Sequence, residues 1–488
     1  MKKMIHTYPN PETNVFASPL TFRLLQSVML TLGLAVFQPA FAMDTESAAN
    51  PAGNLSDATT SITDSTDAAS SVPDGQDDHW MALFQSTYVW QKKPGFSALY
   101  SGPNSLGTAP AKSYTFSATA FLGWRPWAGT EIYLNPEAVQ GVAFSNLTGL
   151  AGVPNGEIQK VAGPYLTVYR ARFFLRQTLE LGGDKQVVDA GFNQFATTVD
   201  SRRVVLTVGN FALTDIFDSN AYAHDPRTQF LNWTIMDYGA WDFAADARGF
   251  SNGAVAELYY DDWAFRYGRV MMPAQSNSLA LNSNIMASYG DNWEIEHAHQ
   301  INGQPGKLRF LFYRNVAVMA TYGAANAYAA ANGGVPNLAN VRANQAKTGY
   351  GISLEQSITS DIGIFGRFSK DDGEGEEYAF TEVDSSLMAG VSIKGTRWNR
   401  ADDIIGLAAV DNGISAAHRQ FLAEGGLGYF LGDGALSYHS EDTIETYYDM
   451  KVCKDFWTTF DYQHIANPGY NSVRGPAEFF GVRLHTEF

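Results

Sequence analysis

Apolar and polar residues alternate with a period of two along most of the chain after residue 79. In Tyr165–Gln177, YLTVYRARFFLRQ, aromatic and aliphatic residues dominate the odd positions, while Arg170, Arg172 and Arg176 occupy even positions. Successive side chains of a β-strand point to opposite faces. The pattern therefore predicts a strand with one apolar face and one strongly basic face, although some apolar residues dilute the basic one.

The same alternation recurs with other polar partners in segments of about ten residues, separated by Gly, Asp, Asn and Pro. Residues 307–312 and 444–452 show it clearly, and residues 254–272 predict a hairpin in which Asp261 and Asp262 form the turn. Helical periodicity is rare, and no apolar run after the leader reaches the roughly 18 residues of a membrane helix. The pattern predicts an all-β protein of antiparallel strands.

The end of the chain favours a barrel over the alternative, a secreted soluble sandwich. From Phe480 to Phe488 an apolar-leaning face alternates with Arg483, His485 and Glu487. A strand at the end of a chain has an edge that pairing with the first strand would satisfy, which means closure. The chain is also rich in aromatic residues, with 24 Tyr, 31 Phe and 10 Trp, as the interfacial girdles of membrane barrels require. We expect a transmembrane antiparallel β-barrel.

The first 42 residues have the features of an export signal. Basic residues precede the apolar segment Leu24–Phe37, and Ala40-Phe41-Ala42 is a small-x-small cleavage site before Met43. The alternative is a membrane-anchoring helix, but the apolar segment is short of the roughly 20 residues that span a bilayer. We expect cleavage and a mature protein outside the cytoplasm.

Composition divides the remaining chain and restricts its partners. Residues 43–78 contain eight acidic residues and no Lys or Arg, so we expect a disordered tail there and the barrel domain at residues 79–488. The net charge of −17 argues against nucleic acid, which binds basic surfaces. The single cysteine, Cys453, permits no internal disulfide.

A long segment, Val208 to Gly249, is the predicted working part. It opens like a strand and then continues as a loop rich in Asp, Asn and Trp, and long loops between short strands usually have a function. Aromatic faces combined with Asp, Asn and Arg side chains suit sugar binding. If this segment folds into the barrel, its acids would face the strand arginines across a narrow throat.

The strand arginines are predicted to face the lumen, because an Arg on the lipid side costs about 2 to 4 kcal/mol at the bilayer midplane. They would then contact sugar or pair with the acids of a folded-in loop, and the sequence leaves both roles open. Trp233 and Trp241 would stack on a sugar ring, with packing as the alternative for each. The candidate substrate-binding and channel-lining residues are Arg170, Arg172, Arg176, Asp215, Asp218, Asp225, Arg227, Trp233, Trp241 and Asp242.

Other chemical motifs are weak. Gly249-Phe250-Ser251-Asn252-Gly253 matches G-x-S-x-G of hydrolases, but a strand follows where that motif needs a helix. His297 and His299 lack an evident third metal ligand. The acidic run Asp371–Glu377 lacks EF-hand spacing. We therefore predict no catalytic residue, no metal site and no cofactor.

The sequence resembles the OprB family of carbohydrate-selective porins from about residue 79 to 488. The matching segments are QSTYVWQ and YSGPNSL (85–106), GLAGVPNGE (149–157), YRARFFLRQTLELGG (169–183), DPRTQFLNW (225–233), SLMAGVSIKGTRWNRADDIIGLA (386–408) and FFGVRLHTEF (479–488). This resemblance implies sixteen strands and passive diffusion of mono- and small oligosaccharides across the outer membrane of a Gram-negative bacterium. In such a barrel we expect the segment Val208 to Gly249 to fold inward as the constriction loop.

Several alternatives stay open at this point. The arginine row also suits a general or anion-preferring pore, and the G-x-S-x-G segment leaves an outer-membrane barrel hydrolase as a less favoured reading. A conduit for polysaccharide export fits the same scaffold. The expected partners are permeating sugars and outer-membrane lipid, and the protein is expected to act as a monomer or a homotrimer.

Overall fold

The computed structural model describes residues 78–157, 163–379 and 382–488. The predicted signal peptide (1–42) and nearly all of the predicted acidic tail (43–78) lie outside the described residues. Within the described part of the chain, strands dominate. No helix in that part is both long and apolar enough to span a membrane.

The described residues form a closed antiparallel barrel of sixteen strands and a separate two-stranded sheet. The barrel strands are β1 (Trp80–Lys93), β2 (Ala111–Trp127), β3 (Thr130–Val142), β4 (Thr167–Glu180), β7 (Arg202–Phe211), β8 (Ser251–Tyr260), β9 (Trp263–Met271), β10 (Tyr289–Ile301), β11 (Gln304–Met319), β12 (Ala343–Ser357), β13 (Ile362–Asp371), β14 (Ser385–Gly395), β15 (Arg400–Gly413), β16 (Glu441–Cys453), β17 (Phe456–Ala466) and β18 (Ala477–Glu487). The two-stranded sheet is β5 (Lys185–Val188) with β6 (Thr197–Asp200). Barrel strands that follow one another along the chain pair with each other, with β4 pairing with β7 and β1 pairing with β18.

Closure occurs where the sequence predicts it. β1 pairs with β18 from Gln85↔Glu487 to Lys92↔Phe480. The backbone amide of Phe84 donates to the carbonyl of Phe488 at 2.8 Å, and the amide of Phe488 donates back at 3.0 Å. No unpaired edge is left at this seam, which a barrel surrounded by lipid requires.

The two faces of the wall are inverted relative to a soluble protein. Along β11, Leu308, Phe310 and Phe312 are exposed on the outside, whereas Arg309 between them is fully buried. The same holds along β18, where Phe480 is exposed and Arg483 is buried. Apolar side chains outside and polar ones inside are the arrangement that lipid stabilises, so the alternation predicted from the sequence is confirmed.

The two ends of the barrel differ. The end where β1 begins and β18 finishes, here called the terminal end, has several two-residue turns, such as Asp261-Asp262 and Asn302-Gly303. The opposite end, here called the loop end, carries long connections. These contain the helices α1 (Trp233–Met236), α2 (Tyr322–Asn332) and α3 (Ala416–Ala423) and the 3-10 turns Phe144–Leu147, Leu213–Asp215, Leu338–Asn340 and Pro468–Tyr470; a further 3-10 turn, Thr396–Trp398, lies at the terminal end.

The longest loop-end connection enters the barrel. Residues 212–250, here called the inner loop, connect β7 to β8, and most of their apolar side chains are buried. Its backbone is held by side chains from across the barrel. Glu445 accepts from the amides of Leu231 and Asn232 at 2.5 and 2.9 Å, and Arg483 donates to the carbonyls of Pro226 and Gln229 at 2.8 and 2.6 Å.

A bulge in β4 corrects one expectation from the alternation. Asn135 of β3 pairs with Arg172, but the next residue, Pro136, pairs with Arg170, so Ala171 is an extra residue on β4. An extra residue shifts the following side chains to the opposite face. Arg172 and Arg176 therefore line the lumen, whereas Arg170 is exposed, with its guanidinium 5.7 Å from the ring centre of the outward-facing Phe173. The three arginines do not share one face.

Candidate functional site

A cavity of about 510 Å³ lies inside the barrel, between the inner loop and the wall formed by β1 to β4. Its lining contains four arginines, four carboxylates and several aromatic rings. The charged lining residues are Arg172, Arg176, Arg227, Arg248, Glu137, Glu157, Asp215 and Asp225. Both charge signs thus meet in one small aqueous space, where each ion is attracted by one set and repelled by the other.

An ion pair joins the inner loop to the wall. Arg172 of β4 donates from Nε and Nη2 to the two carboxylate oxygens of Asp215, each at 2.7 Å. Burial raises the pKa of Asp215, but the charge and hydrogen bonds of Arg172 outweigh it and hold that pKa below its usual value. Asp215 is therefore ionised at neutral pH, and the pair fixes the position at which the loop approaches β4.

Arg227 is the most highly connected arginine of the cavity. Its Nε lies 3.0 Å from both oxygens of Glu157, and its Nη2 lies 2.8 Å from Oε2 of Glu137. Its Nη1 donates to Gln85 at 2.8 Å. Burial lowers its pKa, but the charges of Glu157 and Glu137 raise the net value well above the usual one. One guanidinium thus ties the inner loop to two separate parts of the barrel.

Arg176 lies nearer the terminal end of the cavity. Its Nη1 donates to the carbonyl of Asn193 at 2.9 Å and lies 3.8 Å from Oε2 of Glu131. Its guanidinium is 5.5 Å from the ring centres of both Tyr133 and Phe174. The aromatic rings restrict it to the lumen, and Asn193 shows that a segment from the terminal end reaches the same space.

Arg248 differs from the other cavity arginines. Its guanidinium carbon lies 4.3 Å from the ring centre of Tyr169, and its Nε is buried without a hydrogen-bond partner among the described residues. The other three arginines pair with carboxylates, and no such pair is found for Arg248 in the described part of the chain. His224 lines the same cavity, and burial lowers its pKa, so it is neutral at pH 7.

Two further predicted residues line the cavity. Asp225 accepts a hydrogen bond from the backbone amide of Arg227 at 2.9 Å, which shapes the turn that presents the arginine. Trp233 is partly buried at the start of α1, and its ring stacks with Phe243 at 6.2 Å and 13°. Both side chains therefore remain within reach of a molecule in the lumen.

The remaining predicted residues lie away from the cavity. Asp218 is fully buried and pairs with Arg367 at 2.9 Å. Asp242 accepts from the amides of Tyr378 and Ala379 at 3.0 and 2.7 Å. Both acids fasten loops inside the barrel rather than line the lumen.

Trp241 is the clearest correction. Only 1% of its surface is exposed, and its indole nitrogen donates to Asn292 at 3.0 Å. A ring so enclosed has no free face for a sugar. Trp241 belongs to the apolar core between the inner loop and the wall.

Several cavity residues were not among the predicted ones. Glu137 and Tyr169 lie on β3 and β4, and the alternation placed Tyr169 on the lipid face because it could not reveal the bulge at Ala171. Arg248 lies within the predicted segment Val208 to Gly249, one residue before its end. Its membership of that segment was the signal that could have marked it as a lining residue. Phe192 and Gln194 come from the β5–β6 connection, where no local sequence pattern marks a lumen-facing residue.

The weak motifs have structural positions. Ser251 opens β8, and its hydroxyl donates to the carbonyl of Met271 at 2.7 Å, so it secures a strand pair. The rings of His297 and His299 stack at 6.1 Å. In the described residues, no group of three or more His, Cys, Asp or Glu side chains is arranged to hold a metal ion.

The comparisons with known proteins address the family directly. The family model of "Carbohydrate-selective porin, OprB family" matches residues 116–488, which is most of the chain. The chain belongs to the OprB family. No curated protein sequence matches it significantly.

Three solved structures are similar to this chain at low sequence identity. The high-pH structure of Pseudomonas putida OprB superimposes with a TM-score of 0.63 and 15% identity, covering 84% of this chain and 94% of that chain. For the low-pH structure of the same protein the TM-score is 0.45 at 12% identity, covering 84% and 93%. Acinetobacter baumannii OccAB1 gives 0.44 at 10% identity, covering 86% and 98%.

Membership in this family sets the function of the barrel. This OprB-family protein is a passive, carbohydrate-selective porin of the outer membrane and not an enzyme. Selectivity in such a pore depends on the width, charges and hydrogen-bonding groups of its narrowest part.

Proposed function

We propose that the cavity between the inner loop and β1 to β4 is the constriction through which monosaccharides and small oligosaccharides diffuse. One observation carries the proposal, namely that four arginines and four carboxylates line the same space of about 510 Å³. A volume of this size is typical of small-molecule sites. The inner loop also contacts other parts of the wall, for example Asn292 of β10, Arg367 of β13 and Glu445 of β16.

The lining suits neutral polyols better than ions. Arginine is a donor only and a carboxylate is an acceptor only, whereas each sugar hydroxyl donates and accepts. A sugar can therefore exchange hydrogen bonds with both sets, while an ion is favoured by one set and opposed by the other. Because Arg172 and Arg227 are already paired with acids, the net charge presented to a solute stays small.

Within this constriction we assign contact with the permeating sugar to Arg172, Arg176, Arg227, Asp215, Asp225 and Trp233. The side chains of Arg248 and Tyr169 complete the lining. Sugar contacts must be strong enough to admit the solute and weak enough to release it. Ion pairs that line an open cavity and one partly exposed ring meet that requirement better than a closed pocket.

An anion-preferring pore is the second candidate, and Arg248 is the observation that favours it. A cation without a carboxylate partner among the described residues attracts anions. Planar-bilayer recordings separate the two functions. The sugar pore predicts that glucose added in the millimolar range lowers ion current, with reversal potentials showing weak ion selectivity; strong anion selectivity without sugar block would replace it with the second candidate.

We propose cleavage after Ala42, which places Met43 at the mature N-terminus; N-terminal mass spectrometry of the purified protein tests it. The sixteen strands of one chain close into a barrel without a strand from a partner, which supports one pore in each chain, whether it acts as a monomer or within a homotrimer. Light scattering in detergent measures whether monomers or trimers are present.

A further inference from the structure

The connection between β4 and β7 is unlike its neighbours at the terminal end. Other links there are as short as two residues, for example Asp261-Asp262, but this one spans residues 181–201 and contains β5 and β6. At its base, the amide of Gly182 donates to Asp200 at 2.7 Å, and Lys185 pairs with Asp200 at 2.5 Å. The connection forms a small hairpin of its own.

The tip of this hairpin is a tight turn. The amides and carbonyls of Gly191 and Gln194 exchange hydrogen bonds at 2.9 and 3.1 Å, which leaves Phe192 and Asn193 as the two central residues. Asn193 has a φ of 54°, a left-handed conformation that Asn tolerates better than most residues. Phe192, at the tip of the hairpin, lines the cavity.

The tip is fastened inside the barrel wall. Arg176 donates to the carbonyl of Asn193 at 2.9 Å, and Nδ2 of the buried Asn135 donates to Oδ1 of Asn193 at 3.0 Å. The guanidinium of Arg125 lies 4.4 Å from the ring centre of Phe195. A Cβ at position 123 would lie only 3.0 Å from the same ring. Because Gly123 has no side chain, the wall leaves room for Phe195 of the hairpin.

Phe192 meets a second aromatic ring in the lumen. The rings of Phe192 and Phe121 stack with centres 4.3 Å apart and an interplanar angle of 28°, and both line the cavity. The inward-facing residues of β2 from Ser113 to Thr119 are hydroxyl-bearing, so Phe121 interrupts a polar row. Phe192 remains partly exposed, with Arg176 and Gln194 beside it in the lining.

We propose that Phe192, supported from behind by the buried ring of Phe121, forms a second selectivity element at the terminal end of the constriction, which takes the flat C–H face of a pyranose ring. Aromatic faces attract such apolar surfaces, and the neighbouring donors of Arg176 and Gln194 reach hydroxyls at the ring edge. The arginine and acid lining favours any polyol, whereas this element distinguishes ring sugars from open chains. The inference rests on the proposed passage of sugars through this cavity.

The test compares glucose with sorbitol. Sorbitol is also a neutral six-carbon polyol, but it is an open chain and has no ring. Liposome swelling is measured for wild type, Phe192→Ala and Phe192→Tyr. Val187→Ala, in β5 with its side chain mostly exposed, is the matched control on the same hairpin. Heat-modifiable gel migration confirms that each variant is a closed barrel.

The element predicts that wild type prefers glucose over sorbitol and that Phe192→Ala lowers the glucose-to-sorbitol rate ratio by about two- to tenfold, the range of one aromatic contact. Phe192→Tyr and Val187→Ala keep the wild-type ratio. If Phe192→Ala speeds both solutes equally, Phe192 only narrows the pore and the inference is wrong. If wild type passes neither solute, the proposed function itself has failed.

Discussion

Arg172 of β4 and Asp215 of the inner loop form a two-point ion pair with both N···O distances at 2.7 Å. The pair decides how far the loop stands from the wall. Replacing Arg172 with Ala should raise single-channel conductance and current noise, because the loop loses its contact on that side. Removing one partner of a fully buried pair costs about 3 to 5 kcal/mol, and we expect about half of that here because both side chains contact the lumen.

A second ion pair provides the control for this variant. Arg202 and Asp261 lie 2.8 Å apart at the terminal end, and both are exposed. Exposed pairs contribute about 0 to 1 kcal/mol, so Arg202→Ala should leave conductance and heat stability nearly unchanged. If the Arg172 and Arg202 variants change conductance equally, the Arg172–Asp215 pair does not hold the inner loop in its constricting position.

Arg248 should set the weak ion preference of the pore. One unit charge about 4 Å from a permeating ion contributes about 1 kcal/mol in water-like surroundings, which is roughly fivefold in relative permeability. Arg248→Ala should therefore shift the reversal potential toward cations by about that ratio. Arg170→Ala, on the outer face, should not shift it, and a shift in that variant would contradict the bulge at Ala171.

The two tryptophans of the inner loop should respond differently to truncation. Trp241 is buried and hydrogen-bonded to Asn292, so Trp241→Ala should cost about 3 to 5 kcal/mol and lower the temperature at which the folded gel band disappears. Trp233 lines the cavity, so Trp233→Ala should alter sugar flux with a smaller loss of heat stability. The opposite order would reverse the assignment of the two rings.

Asp237 predicts a pH dependence of stability. Its carboxylate oxygens are buried and have no hydrogen-bond partner among the described residues. Burial, reinforced by the charge of Asp218 and opposed by Arg367, raises its pKa well above the usual value. A raised carboxyl pKa favours the folded state at low pH, and this contribution is lost as the pH rises from about 4, the unfolded value.

Asp237→Asn removes that loss, so the heat stability of the variant relative to wild type should increase as the pH rises above about 4. Each unit of pKa shift corresponds to about 1.4 kcal/mol. Melting curves in detergent at pH 4 and pH 8 measure the difference. An advantage of the variant that shrinks between pH 4 and pH 8 would contradict the assignment.

The barrel was predictable because its signal is repeated in every strand. The alternation in residues 307–312 and 480–488 specifies the faces, and lipid on one side makes each face unambiguous. The Asp261-Asp262 turn and the β1–β18 seam followed from the same pattern. The count of sixteen strands came from the family resemblance, because single strand signals are too weak to count.

The cavity was only partly predictable, since its position depends on tertiary contacts. Alternation alone placed Arg170 with Arg172 and Arg176, but the bulge at Ala171 turned Arg170 outward. Composition marked both Trp233 and Trp241 as sugar-stacking candidates, and only packing against the wall separates them. Phe192 was missed because nothing local shows that its hairpin enters the barrel.

Liposome swelling with the purified wild-type protein tests the sugar-selective pore most directly. Liposomes containing the protein should swell faster in iso-osmotic glucose and arabinose than empty liposomes do, with slower entry as the saccharide lengthens. Swelling indistinguishable from that of empty liposomes for every sugar would contradict it.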